Sequence, residues 1–459
     1  MNIDRLAKWA FYAVVVTLLG GLPFLFGLYS GGHRNFAFVF VKEQVDKVER
    51  AFDDVMETDL LKPGNFLQPA RYQGSGVTLN LASDKGEYLL LSGFFGEDSG
   101  LQLIRRDGAL VNKWVVRYSE VFADSAYLAD PPNTDWNVDI DGSLAMPDGS
   151  VVFNFDYVGL ARIDRCGKVM WTVRHQTHHS VEFAERGGFW VPGENMVTDA
   201  GATRYPPFEA PFADSTIMLV SENGAVLREI SVPGLFYENG LEALLTSAPA
   251  YYEPRGKNAW NREIVHLNKI AELSSELAEE FPQFEAGDLL LSMRNSNLLM
   301  VVDPDTEKVR WWQIGPWLRQ HDPEFNAGGT IILFNNNVYL NAIPGGYSGN
   351  TTKLTPLSVP RVSNILEVDP ETGLSRKLFG ESPGQEMLSV TRGKVDLTPG
   401  GGLLVTEFDG GRVFETDSQG QVVWQYINRY NDDEVAEISE ARLYPAGYFQ
   451  VSDWSCTTP

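Results

Sequence analysis

The chain has 459 residues, 43% of them hydrophobic and 21% charged, so it can build a sizeable core in one large repeat domain or in two or three average ones. Asp and Glu number 61 against 37 Lys and Arg, which gives a formal net charge of -24. This acidic excess argues against nucleic acid as a partner, and any anion would have to bind in a local basic pocket.

The first predicted element is a membrane-spanning helix from Trp9 to Tyr29, a stretch without a charged residue. Its length is close to the ~20 residues that a bilayer requires. Arg5 and Lys8 precede it, which favours a cytoplasmic N-terminus and a main domain across the membrane. A cleaved signal peptide is the alternative, but no small-residue cleavage site follows the apolar run. We therefore predict an uncleaved anchor over residues 1–30.

Residues 31–73 are predicted to form a helical stalk or linker. Between Asn35 and Leu61, apolar residues recur at spacings of three and four, which is typical of an amphipathic helix. We interpret this helix as a simple stalk or brace for the main domain.

One sequence repeat occurs six times beyond Gly74: an apolar strand, a polar turn and a second strand that often ends in Trp. Its copies are LQLIRRDGALVNKW (101–114), LARIDRCGKVMW (160–171), IMLVSENGAVLREI (217–230), LLMVVDPDTEKVRWW (298–312), ILEVDPETGLSRKLF (365–379) and RVFETDSQGQVVWQY (412–426). Each copy predicts a β-hairpin.

A second pair of strand-like segments precedes most copies, for example SLAMPDGSVVFNFD (143–156) and EFNAGGTIILFNNN (324–337). Two hairpins per repeat give four strands, so residues 74–459 are predicted to be an all-β, six-bladed β-propeller. The segment 441–453 is expected to supply a strand that closes the ring, and LNKIAELSSELAEEF (267–281) has a helical pattern. A pair of β-sandwiches is the structural alternative.

The chain contains two cysteines, Cys166 in a predicted turn and Cys456 near the C-terminus. A disulfide between them is possible if the domain is exported, but their sequence positions alone do not decide it. Neither has metal-ligand spacing.

Five of the six histidines are informative, because the inner strands of a propeller converge on one axial channel; the sixth, His33, lies in the loop after the predicted anchor and is expected to be solvated. His175, His178 and His179 follow one repeated hairpin and His321 follows another, while His266 follows a long insertion. A hydrogen-bonded structural role is the preferred interpretation for His175 and His178. A metal site on the His178–His179 pair is disfavoured, because adjacent strand residues face opposite ways.

Several of these segments resemble the membrane-anchored branch of the bacterial arylsulfotransferase (aryl-sulfate sulfotransferase) family. They are THHSVEF…GGFWVPGE, VHLNKI, GDLLLSMRNSN, IGPWLRQHDPEF…ILFNNN and RGKVDLTPGGGLLVTEFDGGRVFE, and the resemblance runs from about residue 76 to 430. It implies a six-bladed propeller in the periplasm, here held by a single-pass anchor in the bacterial inner membrane. It also implies sulfuryl transfer from a phenolic sulfate ester to an acceptor hydroxyl, through a sulfated histidine and without a cofactor.

The resemblance assigns roles to individual residues. His321 matches the QHD position and is the preferred nucleophile, while His179 and His266 match positions expected to supply acid–base or oxyanion contacts. The predicted substrate-binding residues are Arg294, Arg361, Asn268 and Asn337. No metal is expected, and the acceptor is either a small molecule or an envelope glycan. Trp311, Trp312 and Trp317 are expected to wall the aromatic donor.

The sequence also departs from the family pattern. The best-studied branch has an Arg soon after its QHD segment, where FNNNVYL stands here, and it uses a late-blade histidine as nucleophile. No histidine follows His321 in this chain. The alternative function is therefore a propeller without catalytic activity that serves as a binding module or scaffold in the cell envelope.

Overall fold

The structure is a computed structural model that describes residues 66–456 and 8–33 with gaps. The gaps are 10, 13, 16, 84, 129, 130, 133, 199–204, 206, 207, 209–211, 248–263 and 339–361. The chain divides into two compact units, Met1–Gly64 with Glu253–Ala259, and Asn65–Tyr252 with Trp260–Pro459.

The described N-terminal residues include a π-helical turn, Thr17–Gly21, and helix α1, Leu22–His33. Among the residues that the structure describes, no helix is both long enough and apolar enough to cross a bilayer. The predicted membrane-spanning helix from Trp9 to Tyr29 is therefore not supported. The predicted stalk helix between Asn35 and Leu61 lies outside the described residues.

The second unit is a ring of six antiparallel sheets, which confirms the predicted six-bladed propeller. Before the blades come β1, Leu67–Pro69, and β2, Gly76–Asn80. Blade 1 contains β3, Tyr88–Phe95, β4, Asp98–Arg105, and β5, Leu110–Val115. Blade 2 contains β6, Ile140–Ala145, β7, Val151–Phe155, β8, Gly159–Ile163, and β9, Val169–Val173. Blade 3 contains β10, Gln176–Thr177, β11, Glu182–Phe183, β12, Phe189–Val197, β13, Phe212–Val220, and β14, Val226–Ser231.

Blade 4 contains β15, Leu267–Glu272, β16, Leu289–Met293, β17, Leu298–Asp303, and β18, Lys308–Ile314. Blade 5 contains β19, His321–Asn326, β20, Thr330–Asn335, β21, Asn364–Val368, and β22, Ser375–Phe379. Blade 6 contains β23, Lys394–Leu397, β24, Leu403–Glu407, β25, Arg412–Thr416, and β26, Val422–Ile427. The chain continues with β27, Glu434–Ala436, and β28, Ile438–Tyr444. Short helices are α2, Tyr118–Val121, α3, Val232–Glu238, and α4, Glu242–Ser247.

The ring is closed at both ends of the propeller sequence. Strand β28 pairs with β3 and completes blade 1 as its innermost strand, as the sequence predicted for this C-terminal segment. Strand β2 pairs with β26 and adds a fifth strand to the outer edge of blade 6. These two pairings cover strand edges that would otherwise remain open.

The tryptophans at the end of the sequence repeat form hydrogen bonds between neighbouring blades. Trp114 Nε1 donates a hydrogen bond to the carbonyl of Asp164, Trp171 Nε1 to that of Glu222, and Trp424 Nε1 to that of Arg106. Each acceptor lies in the hairpin turn of the next blade round the ring. The recurring Trp therefore fixes the spacing of the blades, while the faces between them are filled by separate hydrophobic clusters.

Cys166, in the β8–β9 turn, forms a disulfide with Cys456. The bond ties the C-terminal tail to blade 2 across 290 residues of sequence. The sequence alone did not decide whether these two cysteines are bridged, and the structure shows that they are.

The helical prediction for residues 267–281 is wrong over its first half. Leu267–Glu272 is strand β15, and only Ala278–Glu280 forms a short 3₁₀ turn. Leu267, Ile270 and Leu273 have helical spacing, but all are fully buried because β15 is an inner strand packed on both faces. Helical structure in the insertion comes earlier, in α3 and α4.

Candidate functional site

Three histidines meet where the inner strands of the blades begin. His179 lies between β10 and β11, His266 immediately precedes β15, and His321 is the first residue of β19. All three are at most 5% exposed. Nε2 of His179 lies 3.2 Å from Nε2 of His266, and the ring centres of His179 and His321 are 6.0 Å apart. The fold thus brings together the three histidines selected from the sequence.

The backbone at these positions is left-handed, with φ values of 57° at His179 and 54° at His266. This conformation breaks the alternation of side chains along the strand, so the expectation that His178 and His179 face opposite ways is wrong. Their Nδ1 atoms lie 2.8 Å apart. Gly142 in blade 2 permits this bend, since a Cβ there would lie 2.3 Å from the carbonyl oxygen of His179.

The histidines belong to a continuous chain of polar contacts. The Tyr157 hydroxyl lies 3.4 Å from Nδ1 of His266, and at the other end Nε2 of His178 lies 4.0 Å from a carboxylate oxygen of Glu194. The 4.0 Å contact is longer than a hydrogen bond, but the negative carboxylate favours a proton on the Nε2 of His178 that faces it. With that proton in place and all rings neutral, the donors of the hydrogen-bonded chain point from Tyr157 through His266 and His179 to His178. This arrangement places a proton on Nε2 of His266 and one on Nδ1 of His179.

His321 has a different environment on each ring nitrogen. Nδ1 lies 2.7 Å from Oδ1 of Asn336 and 3.1 Å from the carbonyl oxygen of Arg319, so it must donate to both. Nε2 is buried and has no hydrogen-bond partner among the described residues. Burial, followed by the charge of Arg294, holds the pKa of His321 well below 6.5. The ring is therefore neutral, with its lone pair on Nε2.

Arg294 is the basic residue that joins this group. It starts a 3₁₀ turn after β16, and its backbone N–H donates to the carbonyl of His266 at 3.1 Å. Its charge contributes to the lowered pKa of both His179 and His321, after the larger effect of burial. Arg361, the second basic residue predicted to bind substrate, lies outside the described residues.

The two amides predicted to bind substrate, Asn268 and Asn337, each donate a hydrogen bond to the backbone. Nδ2 of Asn268 donates to the carbonyl of Gln320 at 2.8 Å, which links the inner strands of blades 4 and 5. Nδ2 of Asn337 donates to the carbonyl of Val362 at 3.0 Å. Oδ1 of Asn268 is buried without a hydrogen-bond partner among the described residues, so this oxygen can accept one from a ligand.

Sequence reasoning missed a second charged group beside the histidines. Arg392 lies 2.6 Å from a carboxylate oxygen of Asp139, 3.1 Å from Asp156 and 3.7 Å from Asp141. Oxygens of Asp141 and Asp156 also lie 3.9 Å from Nδ1 of His179, so these three residues could hold a cation. Arg392 already supplies a positive charge to the same carboxylates. The only sequence signal was its place directly before a Gly-rich inner hairpin.

The structure also explains why the last blade carries no histidine at the matching register position. His179 and His321 each stand three residues before an acidic residue of the inner strand, in HSVEF and HDPEF, and the corresponding segment of blade 6 is GKVDL. The matching residue is Gly393, with φ +94°, and a Cβ there would lie 2.6 Å from the Phe334 ring. No side chain fits at this point.

Three residues farther along the same strands, an axial ion-pair cluster occupies the channel. Lys269, 1% exposed, lies 2.6 Å from Glu182 and 2.9 Å from Asp322, and it also pairs with Glu324. Arg442 lies 2.6 Å from Glu182. Although burial acts to lower it, the neighbouring carboxylates hold the pKa of Lys269 well above 10.5.

The predicted tryptophan wall is wrong. Trp311 and Trp312 belong to β18, the outermost strand of blade 4, and Trp317 is buried with its indole N–H on the carbonyl of Asn297. Outer strands lie far from the axis, and here Trp311 and Trp317 pack in a hydrophobic cluster while Trp312 is exposed. The aromatic ring next to the histidines is Tyr157, which stacks on His178 with ring centres 4.7 Å apart.

A family model described as "Arylsulfotransferase (ASST)" matches residues 142–429. No curated protein matches the chain. Similar solved structures include a protein of unknown function from Bacteroides caccae, with 13% identity, a TM-score of 0.48 and coverage of 78% of this chain and 98% of that one. An inactive virginiamycin B lyase from Staphylococcus aureus has 12% identity, a TM-score of 0.38 and coverage of 78% and 88%. Hydrazine synthase from Kuenenia stuttgartiensis has 11% identity, a TM-score of 0.40 and coverage of 76% and 78%. With TM-scores below 0.5, these structural likenesses carry no argument about function.

Proposed function

The chain belongs to the arylsulfotransferase family, and from this premise we propose that it transfers a sulfuryl group from a phenolic sulfate ester to an acceptor hydroxyl through a sulfated His321. The observation that carries the proposal is the bare Nε2 of His321, buried among two further histidines and Arg294. A neutral imidazole with an unengaged lone pair is a suitable nucleophile for sulfur.

In the first half-reaction, Nε2 of His321 attacks sulfur and forms an N–S bond. The bond between sulfur and the phenolic oxygen breaks, and its electron pair leaves on the phenolate, which then takes a proton. His266 and His179 are proposed to stabilise the leaving oxygen through the N–H that each neutral ring carries, and the proton that the phenolate takes comes from solvent. Arg294 is proposed to stabilise the sulfuryl oxygens electrostatically.

In the second half-reaction, the acceptor hydroxyl gives up its proton to solvent while its oxygen attacks sulfur. The N–S bond breaks, and its electron pair returns to Nε2 of His321. Protons and charge therefore balance over the cycle, and no cofactor is required. Since burial keeps the pKa of His321 well below 6.5, protonation of this ring should reduce the transfer rate only at pH values below 6.5.

We also propose that the propeller works outside the cytoplasm, in the bacterial periplasm. The Cys166–Cys456 disulfide supports this proposal, because disulfides persist in oxidising compartments. Trapping free thiols in intact cells before denaturation should leave both cysteines unlabelled. Quantitative labelling of both would contradict an extracytoplasmic location.

The proposed activity is tested with the purified chain and a panel of phenolic sulfates whose released phenols absorb visible light. We expect phenol release that depends on an added phenolic acceptor, with stoichiometric formation of the sulfated acceptor. Without acceptor, a burst of phenol equal to the enzyme concentration should accompany an acid-labile sulfate on the protein. A folded protein that turns over no donor in the panel would favour the alternative function, an envelope binding module or scaffold.

A further inference from the structure

Asn336 lies directly behind His321 and is fully buried. Its Oδ1 is 2.7 Å from Nδ1 of His321, and its Nδ2 is 2.9 Å from the carbonyl oxygen of Ser389 and 2.8 Å from that of Arg392. Every polar group of this side chain is thus engaged. The residue connects the end of β20 in blade 5 to the segment that leads into β23 of blade 6.

The two backbone carbonyls decide how the amide is oriented. A carbonyl oxygen only accepts hydrogen bonds, so the NH₂ group of Asn336 must face Ser389 and Arg392. The amide oxygen is then left to face His321, and only a protonated Nδ1 can satisfy it. The reversed amide would bring an oxygen against two carbonyls and an NH₂ against the ring.

This orientation specifies one tautomer of the neutral imidazole. Which ring nitrogen of a histidine carries the proton is set by the hydrogen bond that the other makes. With Nδ1–H held by Asn336 and by the carbonyl of Arg319, the lone pair must lie on Nε2. In the opposite tautomer Nε2 would carry the proton and could not attack sulfur.

We propose that Asn336 is a positioning residue that holds His321 in the Nδ1–H tautomer and so keeps the lone pair on Nε2. The catalytic part of this inference rests on the proposed sulfuryl transfer, whereas the tautomer assignment does not. An ion pair between His321 and a carboxylate would not keep the imidazole neutral. A carboxylate at position 336 would favour the imidazolium, which has no lone pair.

The test compares Asn336→Ala and Asn336→Asp with the wild-type chain by ring-¹⁵N NMR of histidine and by kinetics. In the wild type, the His321 resonances should show a pyrrole-like Nδ1 and a pyridine-like Nε2. In Asn336→Ala, we expect a mixture of tautomers and a kcat lower by about 10- to 100-fold, the range seen when outer groups that orient a histidine are removed. KM should change little, because Asn336 does not contact substrate.

Asn336→Asp provides an independent signature. The new carboxylate loses the two hydrogen bonds to the carbonyls of Ser389 and Arg392, which should lower the stability of the fold. Its oxygen that faces Nδ1 should raise the pKa of His321 by roughly 1–3 units, so the acid limb of the pH–rate profile should move to higher pH by the same amount. A residue that only supports the fold would not move this limb. An unchanged limb, together with a wild-type tautomer pattern in both variants, would overturn the proposal.

Asn335→Ala is the matched control. Its side chain accepts from the backbone N–H of Leu318 and donates to Asn364, with no contact to His321. It should leave the His321 tautomer unchanged even if the fold is weakened. If the wild type shows the expected tautomer but no sulfuryl transfer, the function proposal fails and the positioning assignment stands. If the wild type is active but its Nε2 is pyrrole-like, the positioning assignment fails and the function proposal stands.

Discussion

Replacing His321 with alanine should lower the sulfuryl transfer rate by a factor on the order of 10⁴ or more, since loss of a nucleophile removes the covalent route. The variant should also fail to accumulate the acid-labile protein sulfate. The substitution removes only the Nδ1–H hydrogen bonds to Asn336 and to the carbonyl of Arg319, so the fold should survive, as circular dichroism and thermal unfolding can verify. Added imidazole should restore part of the phenol release by taking the place of the missing ring.

The matched control for this prediction is His175→Ala. His175 is also a histidine of blade 3, but its Nε2 lies 3.0 Å from a carboxylate oxygen of Glu229, away from the axial group. This variant should keep wild-type turnover. If the acid-labile sulfate persists in His321→Ala and maps to His179 or His266, the nucleophile assignment is wrong although the reaction class is right.

The largest effect on stability should come from Lys269→Met. This substitution removes Lys269 from the buried Asp322 and from the half-buried Glu182 and Glu324. Arg442 still lies 2.6 Å from Glu182, and Lys394 lies 3.6 Å from Asp322. Removing one partner of a buried ion pair costs about 3–5 kcal/mol, because the remaining charge stays desolvated. We expect a loss of this size in the free energy of unfolding, measured with urea. Lys308→Met, at an exposed position of β18, should change it by less than about 0.5 kcal/mol.

The cost of Lys269→Met should also depend on pH. In the wild type, burial acts to raise the pKa values of Asp322 and Glu182, but Lys269 and Lys394 hold the pKa of Asp322 below its usual range, and Arg442 and Lys269 do the same for Glu182. That stabilisation is present above the pKa of the unfolded carboxyls, near 4, and is lost as the pH falls through the folded values. In the variant the same groups bind protons more readily when folded. The difference between the two proteins should therefore be largest near pH 7 and should shrink toward pH 4. A pH-independent difference would indicate a packing defect instead.

The blades could be predicted because each depends on local pattern. The alternating apolar residues round a polar turn predict a hairpin at 160–171, and its partner hairpin lies next to it in sequence. The segment 267–281 shows where prediction from a local sequence pattern fails. Inner strands are buried on both faces, so the alternation that distinguishes a strand from a helix is absent from them.

The candidate site could be predicted only in part, for a related reason. His179, His266 and His321 stand out because the residue type is rare and each follows a recognisable segment. Asn336 and Arg392 are common residue types, and their roles arise from contacts with atoms 15 residues away in His321 and, for Arg392, 236 residues away in Asp156. Nothing in the local sequence marks such pairings.

The closure of the ring has a consequence for synthesis. Blade 1 lacks its innermost strand until β28 has been made, so β3 presents an unpaired edge for the whole time that the other five blades emerge. The edge pairing that finishes the ring joins Tyr88 to Tyr444, a contact of very high sequence separation that folds slowly. A chain whose synthesis stops before residue 438 therefore exposes an unpaired strand edge that favours aggregation with other chains. A chaperone that binds β3 until the C-terminus has been synthesised would have most effect during this interval.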